Sequence, residues 1–206
     1  APAEPKYEVI VTGTTDDLAV GIAELDPFIT GAGEISLMAT RDTTGTRLEG
    51  LRIATPETEL TADVALTGEA SDAAFSLTAS DIGLALDGID GPATLRGTVN
   101  RAQADGPIGF DINLEAVDLS LTTDGTLITS DDGQTIAANA RAVVDDLART
   151  NALSGQSLDG GVTLDATGVF DTGTQVFSAD IAAETRSLST GIAELDPLLR
   201  GNGTLS

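Results

Sequence analysis

The chain contains no cysteine and no histidine. Without cysteine it has no disulfides, thiolate metal ligands or thiol nucleophile. Without histidine, Ser-His-Asp and Cys-His catalysis and the usual zinc sites are excluded as well. Tryptophan is absent, tyrosine occurs once, and aromatics make up 3% of the residues. Cations are scarce: 10 Lys and Arg stand against 33 Asp and Glu, a formal net charge of −23. Nucleic acid and anionic membrane surfaces both require cations facing the partner, so this balance argues against both. No glycine-rich loop matches a phosphate-binding fingerprint. No run approaches the roughly 20 apolar residues of a membrane-spanning helix. The opening Ala1-Pro-Ala-Glu-Pro5 carries no visible signal peptide, so any targeting segment is expected upstream or already removed.

What is present is aliphatic. Hydrophobic residues reach 41%, ordinary for a folded protein, and they are mainly Leu, Ile, Val and Ala. Threonine and glycine are plentiful, which favours strands and turns over helices. The dominant period is two. Leu60, Ala62, Val64 and Leu66 alternate with Thr61, Asp63 and Ala65, the pattern of a strand with one dry and one wet face. The same alternation recurs in Phe75-Leu77-Ala79, Ile82-Leu84-Leu86, Leu95-Gly97-Val99, Phe110-Ile112-Leu114, Val162-Leu164-Ala166 and Phe177-Ala179-Ile181-Ala183. Turn signals separate the runs: Asp42-Thr-Thr-Gly45, Asp87-Gly88, Asp90-Gly-Pro92, Asp105-Gly-Pro107, Asp124-Gly125, Asp131-Asp-Gly133, Asp159-Gly-Gly161 and Asp171-Thr-Gly173. An antiparallel meander is expected. Between Leu114 and Val117 the phase slips from even to odd, with Val117, Leu119 and Leu121 on the odd side. A β-bulge near Ala116 is the expected cause, with a strand break the alternative. Residues 136–144 alternate as a strand, and a turn or short helix is expected over 146–153.

The chain also repeats itself. Gly21-Ile-Ala-Glu-Leu-Asp-Pro27 recurs without change as Gly191-Ile-Ala-Glu-Leu-Asp-Pro197, and the match extends over 21–36 and 191–206, an offset of 170. Asp26 and Asp196 suit a helix N-cap, the proline that follows suits the first helical position, and Gly31 and Gly201 suit a stop. Each copy therefore reads as one helical turn joining two strands. Gly91-Pro-Ala-Thr-Leu95 and Gly160-Gly-Val-Thr-Leu164 are weaker echoes of the strand entry that follows it. No linker or composition break divides residues 1–206, so the chain reads as one β-repeat segment. Leu205-Ser206 stop where the first copy runs on through Leu37 and Met38, which suggests a piece of a longer protein.

The chemistry-bearing residues that remain are carboxylates. Most sit in turns or on wet strand faces, where a paired-carboxylate hydrolase would not place them. The Asp-rich turns at 131–133 and 157–161 lack the ligand pattern of an EF-hand or of a calcium-binding nonapeptide series. No catalytic residue, metal ligand or cofactor site is expected, and the chain does not read as an enzyme. The dry face is then the functional candidate. By alternation alone it is equally a sealed core or an open apolar groove.

Two stretches carry a resemblance. Leu188-Ser-Thr-Gly-Ile-Ala-Glu-Leu-Asp-Pro-Leu-Leu-Arg-Gly-Asn-Gly-Thr-Leu-Ser206 and Gly45-Thr-Arg-Leu-Glu-Gly-Leu-Arg-Ile-Ala-Thr-Pro-Glu-Thr-Glu-Leu-Thr-Ala-Asp-Val-Ala-Leu-Thr-Gly68 resemble the recurring unit of the TamB family, AsmA-like subunits of the translocation and assembly module. The resemblance implies an all-β fold: an elongated antiparallel sheet curled into a hydrophobic trough, with short helical turns at the Asp-Pro joints. It implies a periplasmic bridge, anchored in the inner membrane by a helix absent from this sequence. Such a bridge carries phospholipid between the membranes and assists outer-membrane protein assembly with a β-barrel partner of the TamA type. Acyl chains would lie against Leu60, Val64, Leu66, Phe75, Leu77, Ile82, Leu84, Leu95, Phe110, Ile112, Leu114, Leu119, Val162, Leu164, Phe177 and Ile181. The competing expectation is a structural or adhesive β-rich repeat of a secreted or surface protein, with its apolar faces sealed.

Overall fold

The computed structural model describes residues 6–19, 21, 26–84, 89–130, 133–192, 196–199 and 201–205, with backbone alone at 84, 153–154, 198–199 and 205. Twelve strands form one antiparallel sheet in strict chain order. They are β1 (Tyr7–Thr15), β2 (Gly33–Arg41), β3 (Gly45–Ala54), β4 (Thr58–Thr67), β5 (Ser71–Ala79), β6 (Ala93–Arg101), β7 (Ile108–Ala116), β8 (Leu119–Ser130), β9 (Gly133–Val144), β10 (Asp159–Asp171), β11 (Val176–Ser189) and β12 (Asn202–Leu205). The sheet does not close into a barrel: β1 pairs only with β2, and β12 only with β11. The expected all-β meander is therefore the fold.

Its two rims differ. Connections at 42–44, 68–70, 102–107 and 172–175 are tight hairpins along one rim. In two of them an aspartate organises the turn. Asp42 Oδ1 accepts from the Thr44 hydroxyl at 2.6 Å and the Thr44 amide at 2.8 Å; Asp171 Oδ1 accepts from the Thr174 amide at 2.8 Å and its hydroxyl at 2.9 Å. These bonds hold both carboxyls below the ordinary carboxylate range. The opposite rim carries the long connections and every helical turn: α1 (Asp26–Ile29), a 3-10 turn at Ile82–Leu84, a 3-10 turn at Leu147–Thr150 running into α2 (Asn151–Ser154), and α3 (Asp196–Leu199). The turn or short helix expected over 146–153 lies there, as a 3-10 turn running into one helical turn.

The repeat is geometric as well as textual. The Asp17 amide donates to Gly31 O at 3.1 Å, and 170 positions on the Ser187 amide donates to Gly201 O at 2.8 Å. Asp17 and Ser187 have φ of 53° and 50°, while Gly31 and Gly201 have φ of 97° and 107°, a left-handed backbone that glycine adopts freely. The weaker echo behaves alike: Ile82 N donates to Gly91 O at 2.8 Å, and Gly91 has φ of 113°. Each of these joints is thus a loop tied at its neck just before a new strand. Asp26 and Asp196 do more than begin the turn. Asp26 Oδ1 accepts from the Gly21 amide at 3.2 Å, and Asp196 Oδ1 from the Thr190 amide at 2.7 Å, so each carboxylate fastens the segment that precedes its helix.

Four expectations are corrected. The phase slip near Ala116 is a two-residue turn, Val117-Asp118, with Ala116 paired to Leu119; Asp118, at φ 59°, tolerates the left-handed bend. The bulge lies in β3, where Gly50 at φ 60° is the extra residue opposite Asp63 and donates its amide to Asp63 Oδ1 at 2.7 Å. Ile82 and Leu84 form a 3-10 turn rather than a strand, because Asp81 Oδ1 accepts from Gly83 N and Gly91 N, both at 2.9 Å, and folds the segment into a loop. Asp124-Gly125 lies within β8 and Asp159-Gly-Gly161 opens β10, so neither is a turn. Leu86, Asp87-Gly88 and Asp131-Asp132 lie outside the described residues.

Candidate functional site

The registers align the dry positions of all twelve strands into rows that cross the sheet. The longest row, one row in from the helical rim, runs Gly13, Ile35, Ile53, Leu60, Leu77, Leu95, Leu114, Leu121, Ala142, Leu164, Ala183, Leu205, each directly opposite the next. No polar side chain interrupts it. At about 4.8 Å between strands, eleven spacings give a stripe roughly 50 Å long. One row nearer the hairpins, Ala62, Phe75, Gly97, Ile112, Thr123, Ala140, Ala166 and Ile181 stand in line. Its one polar member, Thr123, donates its hydroxyl to Asn139 O at 2.8 Å and so brings no unpaired group to the face. The next row contains Val9, Ala39, Leu48, Val64, Ala73, Val99, Phe110, Gly125, Ala138, Gly168 and Ala179.

Two cross-strand pairs flatten this face. Phe75 stands opposite Gly97, and a Cβ there would lie 2.5 Å from its ring; Phe110 stands opposite Gly125, where a Cβ would lie 2.6 Å from the ring. The rings lie over the glycines instead of rising from the sheet, which covers otherwise bare backbone and keeps the floor low.

Of the sixteen expected lining residues, fourteen fall on this one face: Leu60, Val64, Leu66, Phe75, Leu77, Leu95, Phe110, Ile112, Leu114, Leu119, Val162, Leu164, Phe177 and Ile181. Ile82 does not lie in a strand; it is buried in the joint at 80–92, packed with Ile89, Ala93 and Ala116. Leu84 shares that turn, and its side chain lies outside the described residues. The structure adds Ile35, Leu37, Leu48, Leu51, Ile53, Leu121, Leu127 and Ile136 to the face. Leu48 and Leu51 carry opposite phases in the sequence, and only the bulge at Gly50 brings them to one side.

Burial is uneven. The buried apolar residues among those described (Phe28, Ile29, Ile53, Leu77, Ala79, Ile82, Ile89 and Ala93) all lie at or beside the helical rim, and Ile29 is the most deeply buried. Phe28 of α1 clusters with Leu77 and Ala79, and Leu60 and Leu95 pack against that cluster, so the first joint roofs that end of β4–β6. Arg149 ties neighbouring connections together, donating to Asp90 O at 2.7 Å and lying 3.6 Å from Asp118. Much of the rest of the face, with Leu60, Leu95, Ile112 and Leu114 in it, is partly buried, and the β10–β11 end is barest, with Phe177 68% and Ile181 57% exposed. Beyond the joints no second layer covers it among the described residues. No group of three or more His, Cys, Asp or Glu that could hold a metal ion occurs among the described residues, and no described helix is long and apolar enough to cross a membrane.

No family model, no curated protein and no solved structure matches this chain. The geometry of the face is therefore the basis for a functional reading. It offers contiguous aliphatic surface without a nucleophile, an acid–base pair or an enclosed pocket. Such a surface can hold hydrocarbon with little shape selectivity.

Proposed function

We propose that this chain is a segment of a periplasmic conduit that holds phospholipid acyl chains against its apolar face and passes them between two membranes. The uninterrupted aliphatic row from Ile35 to Ala183 carries this reading. The sheet is a single open layer; Ile53 and Leu77 of the row are buried at the helical rim, the rest of the row is partly accessible, and soluble proteins rarely leave so large a contiguous apolar surface without an occupant. Each methylene withdrawn from water contributes about 0.8 kcal/mol, so even partial burial of an acyl chain is favourable. The likeness of 45–68 and 188–206 to TamB repeats supports the same reading. On it, the chain belongs to a longer protein anchored in the inner membrane, meets a TamA-type barrel through other regions, and supports outer-membrane protein assembly.

Native mass spectrometry of the purified chain should find co-purified phospholipid. Val64→Asp places a charge amid Leu48, Leu66 and Ala73 on the face; it should lower lipid occupancy about tenfold or more while the sheet still folds, and in the full-length protein it should impair growth. A chain that carries no phospholipid, with Val64→Asp cells growing like wild type, would overturn the proposal in favour of a sealed or adhesive repeat.

A further inference from the structure

The last dry row before the hairpins departs from the aliphatic pattern. Over β1–β6 it reads Tyr7, Arg41, Thr46, Leu66, Ser71, Arg101, each directly opposite the next. Over β7–β11 the same row reads Ile108, Leu127, Ile136, Phe170, Phe177. One half of the rim thus offers two guanidinium groups and three hydroxyls beside the apolar floor, and the other half offers none. Arg47, Arg52, Arg96, Arg141 and Arg186 fall on the wet face, and Arg149 lies among the joints. Arg41 and Arg101 are the arginines that the strand phase puts on the dry face. Neither forms an ion pair among the described residues, although the chain carries a large excess of carboxylates. Glu69 and Asp105 sit in the hairpin turns of this rim, and the Asp42 carboxylate there is occupied by Thr44 and Gly45. Arg101 Nε is shut off from solvent with no hydrogen-bond partner, a donor left without its acceptor.

We propose that Arg41 and Arg101 hold the phosphate groups of phospholipids whose tails lie on the aliphatic rows, and that lipids are oriented with their headgroups over the β1–β6 hairpin rim. This rests on the conduit reading above. Arginine presents a planar fork of donors that matches a phosphate diester, and hydroxyls such as Thr46 and Ser71 add neutral donors. Four strand spacings of about 4.8 Å separate Arg41 from Arg101, roughly 19 Å, so each serves its own lipid. The opposite rim is roofed by the joints, which leaves the hairpin side as the exit for a headgroup.

The test compares binding of a phosphatidylglycerol and a diacylglycerol with identical tails, presented in detergent micelles to the 206-residue chain. Wild type should prefer the phospholipid by about tenfold, the scale of one charge-assisted contact. Arg41→Gln with Arg101→Gln should reduce that preference to under about twofold while diacylglycerol binding stays unchanged; the corresponding lysine pair should keep part of it. Circular dichroism verifies that the variants fold. Equal wild-type binding of the two lipids, or a preference that survives the glutamine pair, overturns this inference and leaves the conduit intact. Failure of both lipids to bind overturns the conduit as well. Displacement of phospholipid by millimolar inorganic phosphate would show a free-anion site and reject the lipid assignment.

Discussion

At the helical rim the apolar face is covered; at the hairpin rim it is bare. The strands are the same at both ends, so the difference lies in the connections. A single-layer sheet cannot bury its own face, because strand neighbours shield only the flanks of a side chain. Joints of a dozen or so residues fold back and place Phe28, Ile29, Ile82 and Ile89 over it. Hairpins of three to six residues have little to fold back, and Leu66, Phe170 and Phe177 stay exposed. Stability is thus concentrated along one rim and accessibility along the other. A molecule that must remain folded while its apolar floor is open needs that separation.

The largest test of the separation is a matched pair of truncations. Ile29 is 1% exposed and Phe177 is 68% exposed. Ile29→Ala should cost about 2–5 kcal/mol through lost burial and a cavity under α1. Phe177→Ala, though it removes a larger side chain, should cost under about 1 kcal/mol, because little of that side chain leaves water on folding. Urea unfolding measures both. Equal costs would mean that the hairpin rim is covered in solution and that the two rims do not differ.

A smaller effect separates the two glycines beneath phenylalanine rings. At Gly125 a new Cβ meets both the Phe110 ring and the backbone oxygen of Ala137, and backbone cannot step aside. Gly125→Ala should cost about 1–3 kcal/mol. At Gly97 the nearest obstacle is the Phe75 side chain, and the nearest backbone atom, Asp111 O, is 3.1 Å away against 2.4 Å for Ala137 O at Gly125, so Gly97→Ala should cost less. If Gly97→Ala is the more damaging, the space above Phe75 is not open and the trough is filled there.

These glycines also show where the sequence stopped being legible. Leu60-Ala62-Val64-Leu66 announced its face because its own alternation runs unbroken through β4, and the Asp-Pro joints announced themselves by recurring. Asp124-Gly125 resembles a hairpin turn in every local respect; what holds it in a strand is Phe110, a cross-strand partner fifteen residues away. Ile82-Leu84-Leu86 alternates like a strand, yet the Asp81 contact to Gly91 closes it into a loop, and one hydrogen bond over ten residues leaves no periodic trace. Gly50 did carry a local signal, a lone glycine inside an apolar run, and the phase change from Leu48 to Leu51 beside it marks the bulge. The placement of Arg41 and Arg101 depended on strand ends and register, which alternation alone does not fix. The facing of the floor was written in the sequence; its roof, its rim chemistry and its turns near Ala116 were written in contacts between strands.

The smallest expected effect concerns acid. Asp81 at the helical rim, like Asp42 and Asp171 at the hairpin rim, titrates below its ordinary value; for Asp81 the causes are the amides of Gly91 and Gly83. A carboxyl with a depressed folded-state pKa contributes stability that is complete above the unfolded value, near 3.8, and is lost as pH falls through the folded value. Stability should therefore be level from neutral pH down to about 5 and decline below about 4. The rims should differ in what that decline means. Asp81 closes the joint that seats Ile82 and Ile89, so Asp81→Asn should lower the thermal midpoint at neutral pH and flatten the acid decline, since an amide keeps one acceptor but no charge. Asp42 closes only a hairpin whose neighbours are already exposed, and Asp42→Asn should change the midpoint less at every pH. Thermal unfolding of both variants near neutrality and near pH 3.5 decides it: if Asp42→Asn moves the midpoint as far as Asp81→Asn, the hairpin rim contributes to global stability as much as the roofed one.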